Sequence, residues 1–172
     1  NINHILATGG ELFLQSKIVA ELCRQLKSVA PFHITVETNA TIYDEACARE
    51  LDFFSMSPKL SGSVPSPPHA EQHDRIRLNR EAIQSFITHA REHGKDFQLK
   101  FVYSGESDIT EIKQLLSRLQ DWKQEDILLM PMGATPKELQ LTIPKTLEHC
   151  IQNGWRYCDR LHIALFGNKQ GV

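Results

Sequence analysis

The apolar residues of this chain follow two spacings in turn, which predicts that strands and helices alternate along it. Helical spacing predicts helices over residues 13–26, 44–50, 76–93, 108–119 and 136–153. Compact or alternating apolar runs predict strands over residues 4–7, 32–37, 51–56, 98–103, 127–130 and 160–165. Such alternation indicates an α/β fold with a mainly parallel sheet, in which functional groups are expected at the carboxyl ends of the strands.

Local signals place several helix ends. Asp108 and Glu111 have the spacing of a capping box at the start of the fourth predicted helix. Pro136 suits the first position of the last helix, where its missing N–H would have no partner. Gly94 and Gly154 follow helices as C′ residues, a position that favours glycine because the backbone is left-handed there.

The composition indicates one soluble α/β domain over residues 1–172, because this length suits a single hydrophobic core. A formal net charge of -2 gives no electrostatic support for binding nucleic acid or an anionic membrane. No segment is long and apolar enough to span a bilayer, and no signal peptide is visible. The expected location is therefore cytoplasmic.

The four cysteines, Cys23, Cys47, Cys150 and Cys158, form neither a CxxC nor a CxxxCxxC motif. Their spacing therefore predicts no metal or cluster site within this chain. Buried free thiols are the expected state.

Residues 61–75 lack apolar periodicity and are rich in proline and serine. Because this segment follows a predicted strand end, it is placed to cover the mouth of the sheet. Two hypotheses stay open for it: an ordinary surface loop, or a lid over the site.

Small and polar residues collect where the predicted strands end. The first strand leads into Thr8-Gly9-Gly10-Glu11, where the glycine pair lets the backbone approach a ligand and the glutamate supplies an acceptor. The next two strands lead into Thr38-Asn39 and Ser57-Pro58-Lys59, the fifth into Met132-Gly133, and the last contains His162. Several loops at one end of a sheet predict a single site for a polar ligand.

Together these motifs resemble one enzyme family. The similarity runs over the whole chain, from the Thr-Gly-Gly-Glu turn through residues 37–39, 56–60, 99–102, 128–131, 154–157, 160–163 and 167–172. The chain is similar to the 7-carboxy-7-deazaguanine synthases, which are radical S-adenosylmethionine (SAM) enzymes of the deazapurine pathway to queuosine.

The resemblance implies an incomplete (β/α)6 barrel that holds a [4Fe-4S] cluster and SAM. It also implies a lyase that converts 6-carboxy-5,6,7,8-tetrahydropterin to 7-carboxy-7-deazaguanine with loss of ammonia, assisted by Mg2+. In such an enzyme the cofactor and the cluster supply the radical, and the protein positions the substrate. A flavodoxin or ferredoxin as electron donor and a homodimer are further expectations from the family.

The resemblance also assigns roles to residues of this sequence. By similarity, the Gly-Gly-Glu turn receives the methionyl ammonium of SAM, which needs carbonyl and carboxylate acceptors. Lys59 is placed for the cofactor's carboxylate, a charge-assisted contact, and Ser57 for its ribose. No catalytic residue is assigned. The residues implied for cofactor binding are Thr8, Gly9, Gly10, Glu11, Thr38, Asn39, Ser57 and Lys59, and those implied for the pterin are His162, Lys169 and Val172.

Five positions depart from the family pattern. Leu12 and Ala40 stand where proline and glycine are usual, so the first turn loses a fixed φ, and Ala40 is strained if its φ is positive. The other departures are Met132 for glutamine or glutamate, Phe166 for tryptophan and Gln170 for arginine. The last of these removes a bidentate contact with an anion.

The family's cluster cysteines lie N-terminal to the Gly-Gly-Glu turn, on a strand and helix for which the eight residues before Gly9 leave no room. Holding the cluster in the family manner needs three thiolates. We therefore expect this chain to be the C-terminal portion of a longer polypeptide, without the N-terminal βα unit of the barrel. One alternative is a cluster-less, non-catalytic module that binds SAM or a pterin, or that completes the barrel of a partner subunit. Another is a different radical SAM activity on the same scaffold.

Overall fold

A parallel sheet of six strands forms the centre of the computed structural model, which describes residues 3–65, 67–68, 70–167 and 169. Neighbouring strands in the sheet are also neighbours in the chain, and every pair is parallel in the described residues. The prediction of an α/β fold with a mainly parallel sheet is confirmed. The strands are β1 His4–Ala7, β2 His33–Thr38, β3 Phe53–Met56, β4 Asp96–Tyr103, β5 Ile127–Pro131 and β6 Arg156–Tyr157.

Helices connect the strands, and polar side chains cap several of their starts. Asp44 and Asn79 accept hydrogen bonds from backbone N–H groups three residues ahead, at 2.8 and 3.2 Å. Gly154 ends the longest helix with φ +67°, as predicted. The helices are α1 Ser16–Val29, α2 Glu45–Glu50, α3 Ala70–Ile76, α4 Arg80–Glu92, α5 Glu106–Leu116, α6 Pro136–Asn153 and α7 Leu161–Phe166, with 3₁₀ turns at Leu12–Gln15, Ser61–Ser63 and Gln124–Asp126.

The strand order determines which face of the sheet the helices cover. Right-handed crossovers between strands in consecutive order all move across the sheet in the same direction, so their helices lie on one face. Along β4, the buried Phe97, Leu99, Phe101 and Tyr103 alternate with the half-buried Gln98, Lys100 and Val102. The first set faces the helices and the core, whereas the second lies on the opposite face, which is more polar and more open.

The predicted strand over residues 160–165 is wrong, because these residues begin α7. The place beside β5 is taken instead by Arg156–Tyr157, directly after the turn that ends α6. Within α7 only Ile163 is buried, at 3% exposure, while Leu161 and Leu165 are more than 60% exposed. A run this short has no periodicity that distinguishes a strand from one and a half helical turns.

Two predicted helix starts also differ from the structure. The helix predicted over residues 76–93 is α4, which begins four residues later because Asn79 caps its start. The segment predicted to be irregular over residues 61–75 instead contains most of α3. Asp108 and Glu111 do not form a capping box. Asp108 Oδ2 accepts from the N–H groups of Ser104 and Gly105, at 2.6 and 3.2 Å, so α5 begins earlier than predicted.

The cysteines are all free thiols, and Cys23, Cys47 and Cys150 are buried as predicted, whereas Cys158 is only partly buried. Burial raises the pKa of the Cys47 thiol to about 12. These residues therefore act as small apolar side chains at neutral pH. No helix in the described ranges has the length and apolar character needed to cross a membrane.

Candidate functional site

The carboxyl ends of β1, β2 and β3 meet around a cavity of about 290 Å³, called the first cavity below. Every residue predicted to bind the cofactor lines it, except Glu11. The lining residues are Thr8, Gly9, Gly10, Glu37, Thr38, Asn39, Ser55, Ser57, Lys59 and Lys100. The structure therefore brings together polar groups from three loops and from the open face of the sheet.

The glycine pair gives the first cavity a wall of bare backbone. Gly9 and Gly10 have φ values of +114° and +61°, which residues other than glycine rarely adopt. A Cβ atom on either residue would meet nothing within 4 Å, so the backbone conformation and not crowding requires glycine here. Peptide groups at this turn are accordingly open to a ligand.

Glu11 connects the end of β1 to the end of β2 through hydrogen bonds of its side chain. Its carboxylate accepts from Thr38 Oγ1 at 2.8 and 2.9 Å, from the Asn39 N–H at 2.8 Å and from the Phe13 N–H at 3.1 Å. These bonds connect the turn after β1 to the turn after β2. Glu11 therefore fixes the position of Thr38 and Asn39 relative to the glycine pair.

Glu37 and Lys100 also line the first cavity, although neither was among the residues predicted to bind the cofactor. Thr8 Oγ1 donates to Glu37 Oε2 at 2.9 Å, and Lys100 Nζ lies 3.3 Å from Glu37 Oε1. Burial tends to raise the pKa of Glu37, but the hydrogen bonds from Thr8 and Lys100 and the charge of Lys59 outweigh it and hold that pKa below its usual value. The cavity thus contains one carboxylate, ionised at neutral pH, and two lysines.

A sequence signal for Lys100 did exist. It is a charged residue in the interior of an otherwise apolar strand, and alternate residues of a strand point to opposite faces. Lys100 therefore had to lie on the face opposite Leu99 and Phe101. The alternation does not identify the partner of Lys100, because Glu37 lies 63 residues away in the chain.

The segment Ser57-Pro58-Lys59 separates the first cavity from a second cavity of about 150 Å³. Two backbone contacts hold the segment: the Ser57 N–H donates to the Thr38 carbonyl at 2.7 Å, and Arg77 Nη1 donates to the Lys59 carbonyl at 2.8 Å. The second cavity is lined by Ser57, Pro58, Lys59, Leu60, Gly62, Ser63, Val102, Ser104, Asp108, Met132 and Arg160.

Ala40 is fully buried and has φ +58°. Strain was predicted for Ala40 if its φ is positive, and this condition is confirmed. A left-handed conformation costs a residue with a Cβ roughly 1–2 kcal/mol. Ala40 directly follows Asn39, which lines the first cavity, so the strain is located next to that cavity. Its hydrogen bonds, including one from its N–H to Thr38 Oγ1 at 3.0 Å, maintain the conformation.

Substituting Ala40→Gly is therefore expected to leave the free energy of unfolding unchanged within about 0.5 kcal/mol, because relief of the strain offsets the lost methyl group. Ala48→Gly is the matched control, since Ala48 is equally buried but lies in α2. We expect that control to lose about 1–2 kcal/mol. Urea unfolding of both variants tests this, and equal losses would contradict the strain.

The residues predicted to contact a pterin are placed differently from the cofactor residues. His162 lies on α7 and is exposed, Lys169 is exposed, and neither lines the two cavities. Val172 lies outside the described residues. Gly62 and Ser63, at the start of the segment predicted as a loop or lid, do line the second cavity. A substrate role for His162, Lys169 and Val172, and a lid role for residues 61–75, stay predictions.

Among the residues that the structure describes, no three histidine, cysteine, aspartate or glutamate side chains are grouped so that they could hold a metal ion. Cys23, Cys47 and Cys150 are instead distributed through the core, away from the cavities. This part of the chain therefore offers no three grouped thiolates for a [4Fe-4S] cluster.

Comparison with known proteins finds two relatives that carry the same name. No protein-family model matches the chain. It is 34% identical over 174 residues to a 7-carboxy-7-deazaguanine synthase of Halobacterium salinarum, covering 96% of this chain and 66% of that protein. It is 33% identical over 175 residues to a 7-carboxy-7-deazaguanine synthase of Rhodopirellula baltica, covering 99% of this chain and 64% of that protein. The chain thus spans just under two thirds of each relative's length.

A solved structure supports the fold. The crystal structure of QueE from Escherichia coli superposes with a TM-score of 0.61 at 22% identity, over 93% of this chain and 57% of that one. At this identity the similarity concerns the arrangement of strands and helices.

Proposed function

Because the chain belongs to the 7-carboxy-7-deazaguanine synthase family, we propose that it supplies the SAM-binding and substrate-binding part of a radical SAM lyase. The reaction proposed for the whole enzyme converts 6-carboxy-5,6,7,8-tetrahydropterin to 7-carboxy-7-deazaguanine with loss of ammonia, in queuosine biosynthesis. One observation carries the proposal: three consecutive strand ends converge on the first cavity with the polar groups that a SAM zwitterion needs. We propose the incomplete (β/α)6 barrel of such enzymes as the complete fold.

The residues of the first cavity fit the methionyl end of SAM. An ammonium group has only donors and needs oxygen acceptors. The peptide carbonyls at Gly9 and Gly10 and the Glu37 carboxylate supply such acceptors in the lining of the cavity. Lys59 also lines the cavity, no carboxylate within the described ranges forms an ion pair with it, and its ammonium suits the carboxylate of SAM.

The remaining residues of the site act by positioning. Glu11 holds the second strand end against the first, so the acceptors keep their spacing before a ligand arrives. Lys100 holds Glu37 ionised and oriented. When bound, SAM supplies a 5′-deoxyadenosyl radical as the reactive group, and the share of this chain is to orient the cofactor and substrate and to exclude side reactions.

The described residues do not fit a [4Fe-4S] cluster, so we assign no step to it here. In our proposal the cluster, Mg2+ and docking of a flavodoxin or ferredoxin belong to the complete enzyme and depend on groups outside the described residues.

Isothermal titration calorimetry with SAM tests the proposal. We expect the chain to bind SAM, and Lys59→Met to weaken binding about tenfold, the scale of one lost charged hydrogen bond. Lys113→Met is the control, because Lys113 is an exposed lysine on α5 far from both cavities. Absence of SAM binding, or equal affinities of the two variants, would contradict this assignment.

A second candidate function is supported by the edge of the sheet. β1 has a neighbour on one side only in the described sheet, and Leu6 on it is 54% exposed. In the turn and helix that follow β1, Leu14, Ile18 and Leu22 form an exposed apolar stripe at helical spacing, each more than 50% exposed. An unpaired strand edge with an apolar neighbour suits pairing with another polypeptide. The alternative is therefore a cluster-less subunit that completes the barrel of a partner.

Intact mass with iron and sulfide content distinguishes the two candidates, measured on protein expressed from its native locus and purified without oxygen. A heavier polypeptide with about four irons per chain supports the lyase as one chain. A metal-free product of the present mass, co-purifying with an iron-bearing subunit, supports the barrel-completing role.

A further inference from the structure

Arg160 presents a guanidinium group that has no acceptor in the described part of the chain. Its Nε atom is excluded from solvent and makes no hydrogen bond to the described residues, and no carboxylate among them forms an ion pair with its side chain. A guanidinium is always charged and carries five N–H donors. Leaving such a donor buried without a partner is costly, and native structures rarely do so without a reason.

The neighbouring acid does not neutralise Arg160. Asp108 lines the same second cavity, but its Oδ2 is committed to three donors: the N–H of Ser104, the N–H of Gly105 and Ser104 Oγ, at 2.6, 3.2 and 2.7 Å. Lys59 also lines this cavity without a carboxylate partner in the described ranges. Lys59 is assigned above to the carboxylate of SAM, so Arg160 is the cation of this cavity that has no assigned anion.

Part of the lining of the second cavity is apolar. It includes the buried Pro58 and Leu60, the half-buried Val102 and the exposed Met132. Met132 stands where the family pattern has a polar residue, so this lining is more apolar here than that pattern predicts. A volume of about 150 Å³ is too small for a whole drug-sized ligand, which needs at least about 300 Å³, so the second cavity is a subsite.

We propose that the second cavity binds the carboxylate of a ring-bearing substrate, with Arg160 as the specificity-determining residue. Arg160 holds the anion, and the Met132 side chain contacts the adjoining ring. The planar guanidinium fork suits a carboxylate bidentately, which a lysine alone cannot do. The assignment of the ring as a pterin rests on the proposed function, and it adds Arg160 to the residues expected to bind substrate.

The alternative explanation is that Arg160 has a structural role at the start of α7. In that case its replacement would destabilise the protein. If Arg160 instead serves to bind an anionic ligand, replacing it removes an unsatisfied buried donor. The melting temperature of the unliganded Arg160→Gln variant is then expected to equal or exceed that of the parent.

Fluorescence titration with two commercially available probes tests the proposal: pterin-6-carboxylate, and pterin without the carboxylate. We expect the parent chain to bind pterin-6-carboxylate at least tenfold more tightly than pterin. Arg160→Gln should abolish this preference, and Arg160→Lys should restore part of it because it keeps the charge but not the fork. Arg156→Gln is the control, since Arg156 is exposed on β6 and lines neither cavity.

The outcomes separate this proposal from the proposed function. A parent chain without preference for the carboxylated probe, or an Arg160→Gln variant that keeps the preference, overturns the proposal. SAM affinity, measured on the same samples, should change less than twofold in Arg160→Gln. A chain that prefers the carboxylated probe but does not bind SAM would support the carboxylate subsite while contradicting the proposed function.

Discussion

Replacing Glu11 with alanine is expected to lower the free energy of unfolding by about 3 kcal/mol and to weaken SAM binding at least tenfold. The carboxylate accepts from the Thr38 hydroxyl and from the N–H groups of Asn39 and Phe13. Hydrogen bonds to a charged group contribute roughly 1.5–3 kcal/mol each, and the Asn39 N–H would lose its acceptor at a partly buried position. Without these bonds the turns after β1 and β2 no longer keep their spacing.

Urea unfolding followed by circular dichroism, and calorimetry with SAM, measure the two effects. Glu11→Gln should lose about half as much stability, because one carbonyl oxygen can still accept. Glu125→Ala is the control, because Glu125 is 72% exposed and its ion pair with Lys123 spans 3.6 Å. That control should change stability by less than about 0.5 kcal/mol. If Glu11→Ala were as mild as the control, Glu11 would not join the two strand ends.

A double substitution identifies the contact responsible. Thr38→Val removes the hydroxyl at nearly constant volume, and its effect should add only in part to that of Glu11→Ala, because both break the bonds between Thr38 and Glu11. Full additivity would mean that Glu11 acts through other groups.

The fold was predictable where each element had its own complete signal. The strand β4 and the helix α6 have clear apolar periods and their ends carry turn or cap residues, so they were found within two residues of their bounds. The strand predicted over residues 160–165 is wrong because six residues contain too few apolar repeats to distinguish a strand from a helix. The start of α4 was predicted too early because the apolar spacing continues N-terminal to Asn79. The Asn79 side chain caps the helix and so determines where it begins.

The first cavity was predictable because parallel strands bring their carboxyl ends to one edge. Thr8, Thr38 and Ser57 follow successive strands, so the sheet register alone places them side by side. Lys100 and Arg160 were missed for another reason. Lys100 reaches the first cavity from the interior of β4, where the alternation of the strand indicates its face but not its partner. Arg160 reaches the second cavity from beyond the short strand β6, and no local pattern indicates that approach.

The second large effect concerns Arg77, which connects three segments around the site. Its guanidinium donates to Asp74 at 2.6 Å, to Glu111 at 2.7 Å and to the Lys59 carbonyl at 2.8 Å. Glu111 in turn accepts from the N–H and hydroxyl of Ser61, at 2.8 and 2.7 Å. This network secures the residues on both sides of Leu60 against α5 and thereby fixes the wall between the two cavities.

Substituting Arg77→Met is therefore expected to lower the free energy of unfolding by about 2–3 kcal/mol at pH 7. Breaking a buried ion pair costs about 3–5 kcal/mol, and we reduce that range because both side chains keep some exposure, 14% for Arg77 and 19% for Glu111. SAM affinity should fall several-fold as well, because the Lys59 carbonyl loses its donor. Arg80→Met is the control, since Arg80 is an exposed arginine at the first position of α4.

The pH dependence of the Arg77→Met loss distinguishes an ion pair from lost packing. In the parent protein, burial tends to raise the pKa of Glu111, but hydrogen bonds from Ser61 and Arg77 outweigh it and lower that pKa. A carboxyl group with a lowered pKa stabilises the fold above its unfolded pKa, and this contribution is lost as the pH falls through the folded pKa. The difference in stability between parent and variant should therefore be greatest at pH 7 and shrink below about pH 4.5, where Glu111 becomes protonated in the unfolded chain. A loss that stayed constant between pH 7 and pH 4 would mean that the Arg77 side chain stabilises this wall by packing, because apolar contacts do not titrate.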